Sequence, residues 1–143
     1  MGIEAPGKII DVGGRGLHVL ELGSGPVPVV FEAGIAASSL SWQLVQRPVS
    51  GFARTLSYDR AGFGWSEPAP ASATALDAAL DLERMLNATV GTREIVLVGH
   101  SFGGLITRIF QQRCPDRVAG MVLVDPVIRA EWKGMSDERK AML

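Results

Sequence analysis

The segment Val27 to Glu32 restricts the fold more than any other. Its residues are apolar on both faces, and a strand of that kind is stable only when covered on both sides. Downstream of it, strand and helix patterns alternate. Ser39 to Gln46 reads as a short helix ended before Pro48, and Ala53 to Tyr58 as a strand ending at Asp59. From Thr74 to about Val90, residues Ala75, Ala79, Leu82, Leu86 and Val90 share one helical stripe, with Thr74 and Asp77 spaced as a capping box. Glu94 to Val98 is a strand. Phe102 to Arg113 is a helix with Leu105, Ile106, Ile109 and Phe110 at three-to-four spacing, and Pro115 bars its continuation. Val118 to Val124 is the last strand. Upstream, Lys8 to Val12 and Leu17 to Leu22 flank Gly13-Gly14-Arg15-Gly16, the pattern of a hairpin. The expected class is α/β, a mostly parallel sheet with right-handed crossovers and helices on both faces.

Composition removes several function classes. A chain of 143 residues can bury one sizeable core. Fourteen Lys and Arg balance fifteen Asp and Glu, with no basic block, so there is no electrostatic footprint for nucleic acid or an anionic membrane surface. One cysteine, Cys114, forms neither an internal disulfide nor a multi-cysteine zinc site. The first ten residues lack a secretion-signal pattern, and the most apolar run, Val118 to Val127, falls short of the ~20 residues that span a bilayer. A cytoplasmic protein with no membrane or nucleic-acid partner is expected.

The chemistry-bearing segment is Gly99-His100-Ser101-Phe102-Gly103, which follows Ile95-Val96-Leu97-Val98 directly and opens a helix. With 17 glycines in the chain the bare Gly-x-Ser-x-Gly pattern is weak, but its setting is specific. Strand before, helix after, small residues where the two approach, and the extra Gly104 together fit a serine hydroxyl thrust out of the sheet at a sharp turn. The helix N-terminus behind it offers N–H groups and a positive dipole to an oxyanion.

On these residues the sequence resembles the α/β-hydrolase superfamily, in its serine-nucleophile, cap-bearing form. Val29 to Ile35 with Ser38-Ser39-Leu40-Ser41-Trp42 looks like the family's third strand and oxyanion loop, and Tyr58 to Ser66 is similar to its Asp-x-x-Gly-x-Gly-x-Ser segment. Pro115 to Val118 leading to Val122-Leu123-Val124-Asp125-Pro126 matches its link into the sixth strand. The resemblance implies that Ser101 is the catalytic nucleophile and that the backbone N–H groups of Phe102 and Ile35 form the oxyanion hole. Ala33 stands where many relatives have His, so side-chain bonding in that loop must differ. The implied substrate is a small molecule bearing an ester, lactone, amide or related bond. Ser in place of Asp disfavours halide and epoxide opening through an alkyl-enzyme ester. No metal or organic cofactor is implied.

The family's order is Ser, then an acid, then His, and no His follows Ser101. The two histidines are His18, expected as a half-exposed hairpin residue, and His100, which diverges from its neighbour's hydroxyl and reads as a brace for the elbow. Asp125 is a candidate triad acid, with a strand-end Asp bonded to loop amides as the competing reading. Asp59 and Arg60 read as a loop-ordering pair, and Trp42, Phe63 and Trp65 as pocket lining or plain packing. Matched strand by strand, residues 1–128 correspond to the N-terminal part of the core, through about the sixth strand, and 129–143 to the start of a cap or lid. The expectation is a hydrolase fragment lacking the catalytic His and inactive alone; the alternative is a non-catalytic fold of this type that binds a ligand or partner. An exposed last strand would favour self-association.

Overall fold

A computed structural model describes residues 4–127. The expected lid start at 129–143 lies outside the described residues. A hairpin of β1 (Lys8–Asp11) and β2 (Gly16–Leu22) leads to β3 (Val29–Glu32), a 3-10 turn (Ser39–Trp42), α1 (Gln43–Val49) and β4 (Thr55–Tyr58). Then come α2 (Ala75–Thr89), β5 (Ile95–His100), α3 (Phe102–Arg113), a second 3-10 turn (Pro115–Arg117) and β6 (Val118–Val124). The six strands form one sheet in the order β1-β2-β4-β3-β5-β6. β1 to β2 and β2 to β4 are antiparallel, and the other pairs are parallel.

Alternation along the central strands divides the core into two layers. Val30 and Leu97 join a cluster with Leu82, Leu86, Ile106 and Phe110 of α2 and α3, whereas their chain neighbours Phe31 and Val98 join Trp42 on the opposite face. Helices therefore cover both faces, as the two-sided apolar pattern requires. The face beneath α1 also has a polar patch. Gln46 donates from Nε2 to the Leu20 carbonyl at 3.0 Å and to Thr55 Oγ1 at 3.2 Å, and accepts from Ser57 Oγ at 2.6 Å. This buried amide with its partners satisfied fixes where the short helix sits.

Three sequence expectations need correction. The helix candidate at 39–46 begins as a 3-10 turn, and α1 runs past Pro48, which lies inside its last turn. The bond that Pro48 cannot make would have gone to the carbonyl of Leu44, on a turn whose residue is 87% exposed, so the helix loses one bond on its solvent side and continues. The central strand starts at Val29, since Pro28 has no N–H to give the ladder. His18 is fully buried, because Trp65 packs against its ring at 5.0 Å and the 59–66 loop covers β2.

At the far edge of the described sheet, β6 leaves Val122, Leu123 and Val124 exposed. Among the described residues no helix is long and apolar enough to cross a membrane.

The capping box is present as the sequence predicts. Thr74 Oγ1 accepts from Asp77 N at 3.2 Å, and Asp77 Oδ2 accepts from Thr74 N at 2.7 Å. The Thr74 hydroxyl, which donates to Asp77 Oδ2 at 2.7 Å, and after it the Thr74 N–H hold the Asp77 carboxyl below the usual carboxylate range. Thr74→Ala removes the side-chain acceptor and is expected to lower stability by about 1 kcal/mol, read as a shift in the urea midpoint without a change of slope.

Candidate active site

β5 ends at His100 and α3 begins at Phe102, so Ser101 alone joins strand to helix. Its backbone sits at φ 52°, ψ −120°, a conformation that a residue with a Cβ adopts at a cost. Three backbone bonds enforce it. Ser101 N donates to the Val124 carbonyl at 3.0 Å, and the Ser101 carbonyl accepts from Gly104 N at 2.9 Å and Val127 N at 3.0 Å. The flanking glycines are needed for close approach. A Cβ on Gly99 would come within 2.8 Å of Gly104 Cα and 2.7 Å of Thr107 Oγ1, and one on Gly103 would collide with the carbonyl oxygens of Glu32 and Ala33. The first turn of α3 thus lies directly on the end of β3, and its positive dipole end is at Ser101.

Ser101 is half-buried and lines a cavity of about 330 Å³ with Gly34, Ile35, Trp42, His100 and Val124. The loop after β3 lies against the elbow: a Cβ on Gly34 would be 3.0 Å from His100 Nδ1 and 3.5 Å from Ser101 Cβ. The structure therefore brings together Ser101, Ile35 and the start of α3 carrying Phe102, all singled out from sequence.

That loop is pinned from below by polar groups. The Glu32 carboxylate, at 0% exposure, takes a hydrogen bond from the Tyr58 hydroxyl and pairs with Arg60 Nη1 at 2.5 Å. Arg60, 6% exposed, also donates to the carbonyls of Ala33 at 2.5 Å and Gly34 at 2.6 Å. Burial pushes the Glu32 carboxyl up, opposed by the charge of Arg60. Burial and the neighbouring Glu32 carboxylate push the Tyr58 phenol well up, so it stays protonated and donates. Asp59 pins the far end of the loop: its Oδ1 accepts from Ser39 N at 2.7 Å and its Oδ2 from Trp65 N at 3.0 Å. Asp59 and Arg60 make the loop contacts that the sequence reading assigned to them. Glu32 was missed; an acidic residue closing a two-sided apolar strand was the available signal.

The other candidates are dispersed. His18 Nδ1 lies 3.0 Å from Asp59 Oδ2, off the line that a hydrogen bond needs. β2 is three strands from β5, roughly 14 Å by the usual strand spacing, so His18 has no route to Ser101. His100 is exposed at the strand end, edge-on to Trp42 at 6.5 Å. Asp125 is exposed at φ 43° directly after β6, and the expected bonds to loop amides are not made among the described residues. Trp42 lines the Ser101 cavity; Phe63 stacks on Arg60 at 5.4 Å in a separate hollow, and Trp65 packs on His18.

Comparison with known proteins bears on the fold. The family model described as "alpha/beta hydrolase fold" matches residues 27–143. The uncharacterized protein YqjL of Bacillus subtilis is 35% identical over 106 residues, covering 74% of this chain and 42% of that protein. Epoxide hydrolase 2 of Siraitia grosvenorii is 35% identical over 117 residues, covering 79% of this chain and 36% of that protein. A thermophilic esterase from Thermogutta terrifontis superposes with a TM-score of 0.77 at 31% identity, covering 80% of this chain and 42% of that one. The chain spans about two fifths of the length of these relatives. A family model matched over most of the chain, on a six-stranded, mostly parallel sheet that superposes on a solved structure of 31% identity, assigns it: the chain belongs to the α/β-hydrolase fold family.

Proposed function

We propose that this chain carries the nucleophile and oxyanion-binding half of a serine hydrolase acting on a small molecule with an ester, lactone, amide or related bond. One observation carries the reading. Ala36 and Asp125 also take positive φ, but among the described residues Ser101 alone stands in such a conformation between a strand and a helix, held there by three backbone bonds and lining a cavity. A hydroxyl at that bend, on the N-terminus of α3, is suited to attack on a bound carbonyl. In the proposed step, Ser101 Oγ attacks the substrate's acyl carbon, and the backbone N–H groups of Ile35 and Phe102 receive the charge that develops on the acyl oxygen. The dipole of α3 adds to that stabilisation. Trp42 and Ile35 offer apolar walls to the substrate.

Proton removal is the missing element. Among the described residues neither histidine hydrogen-bonds to Ser101, and besides His100 no side chain lining the cavity is a base of suitable strength near neutral pH. These residues alone are therefore proposed to turn over esters negligibly while keeping an attackable serine. The relatives' names span epoxide and ester chemistry. Ser101, lacking a carboxylate, favours the acyl branch.

Two measurements test the reading. A fluorophosphonate probe is expected to label Ser101 slowly and stoichiometrically, with no label on Ser101→Ala and no steady hydrolysis of a p-nitrophenyl ester. Ester turnover that Ser101→Ala abolishes would refute inactivity of the isolated chain; absence of label on folded protein would point instead to a ligand-binding member of the family. Separately, Ser101→Gly is expected to be more stable than Ser101→Ala by about 1 kcal/mol in urea denaturation, because only the former removes the Cβ from the strained turn. Equal stability would remove the strain argument.

A further inference from the structure

The loop after β3 is poorly suited to hold its own shape. The Gly34 carbonyl accepts from Ala37 N at 3.3 Å, closing a four-residue turn with Ala36 at φ 53°. That positive φ at the third residue is glycine's place in such a turn, and alanine takes it at a cost. The side chain of Ala33 cannot hydrogen-bond to the loop. Rigidity must come from outside, and among the described residues the one side chain that reaches this turn with hydrogen bonds is Arg60.

We propose that Arg60, held by Glu32 and Tyr58, is the positioning residue that aims the Ile35 N–H into the Ser101 cavity; this rests on the reading of that amide as an oxyanion donor. The argument is geometric. The Gly34 carbonyl and the Ile35 N–H belong to one planar peptide unit and, in the trans form, point in opposite directions. Arg60 Nη2 grips that carbonyl at 2.6 Å from the buried side, which leaves the N–H facing away from the guanidinium. Arg60 Nη1 grips the preceding carbonyl, Ala33, so two successive peptide planes are set by one rigid fork. The Ile35 N–H donates to no acceptor among the described residues. The fork is fixed in turn: Glu32 takes Nη1 at 2.5 Å, Tyr58 binds the same carboxylate, and Phe63 and Phe102 flank the guanidinium at 5.4 and 5.6 Å. Glu32 ends β3 and Arg60 follows β4, so the donor's direction is referred to the sheet rather than to the loop.

The test uses the full chain labelled with ¹⁵N. Because removing Arg60 alone strands a buried carboxylate, the main variant is Glu32→Gln with Arg60→Met; Arg60→Lys keeps the charge but not the fork. In the parent protein the Ile35 amide is expected at a rigid-backbone order parameter of about 0.85, and in the double variant below about 0.6, with Val98 and Phe102 unchanged. Arg60→Lys should fall between the two. With the phosphonate adduct on Ser101, the Ile35 and Phe102 amide protons should both move downfield in the parent, and Phe102 alone in the double variant. The phosphonylation rate is expected to fall roughly a hundredfold, the size of one lost oxyanion donor. An Ile35 order parameter unchanged in the folded double variant, or in Arg60→Lys, overturns the inference whatever the adduct does. An adduct that moves neither amide in the parent overturns the oxyanion reading itself, and the catalytic meaning of the clamp with it.

Discussion

A carboxylate buried at the end of the central strand is tolerable only if its charge and lone pairs are answered on the spot, and Glu32 has this answer in Arg60 and Tyr58. Breaking such a pair by removing one partner typically costs about 3–5 kcal/mol, a large part of the roughly 5–15 kcal/mol by which native domains are stable. The pair ties the carboxyl ends of β3 and β4 together and, through the carbonyls of Ala33 and Gly34, sets the path of the loop that faces Ser101. Asp59, from the same segment as Arg60, fixes the other end of that loop at Ser39. The cavity wall is thus built from below the loop, by side chains that do not touch the reacting centre.

The second constraint is steric. Gly103 lets the first turn of α3 rest on the carbonyls of Glu32 and Ala33, so the same two residues that meet Arg60 on one side meet the helix on the other. The elbow and the loop are therefore one packed unit rather than two motifs that happen to be near each other. Their relative placement follows from the pairing of Phe31 with Val98 and Glu32 with Gly99, which brings both strand ends to the same level.

Much of this was legible in the residues. The capping box at Thr74 and Asp77 marks the start of α2, the stripe from Leu105 to Phe110 gives α3 its buried face, and Val118 to Val124 is the last of the described strands, all as periodicity and end signals predict. The serine turn was legible because its setting is local: strand, small residue, hydroxyl, small residue, helix. The misses are long-range. Periodicity says that β2 alternates, but not that the distant 59–66 loop covers His18. It says that Glu32 ends an apolar run, but not that Arg60, twenty-eight positions later, lies beside it. Pro48 differs for another reason: a proline near a helix end interrupts one bond, and on the exposed turn at Leu44 that loss does not end the helix.

The strand order has its own consequence. From β3 the chain steps sideways to β4 by way of α1, then returns across β3 to β5 by way of α2. Segments leaving β3 and β5 therefore diverge, and the crevice between them is produced by connectivity, whatever side chains line it. Reactivity and framework are in this sense separable: the lining can change its chemistry over evolutionary time without the sheet having to be reinvented, which is how one scaffold comes to serve relatives named for different reactions.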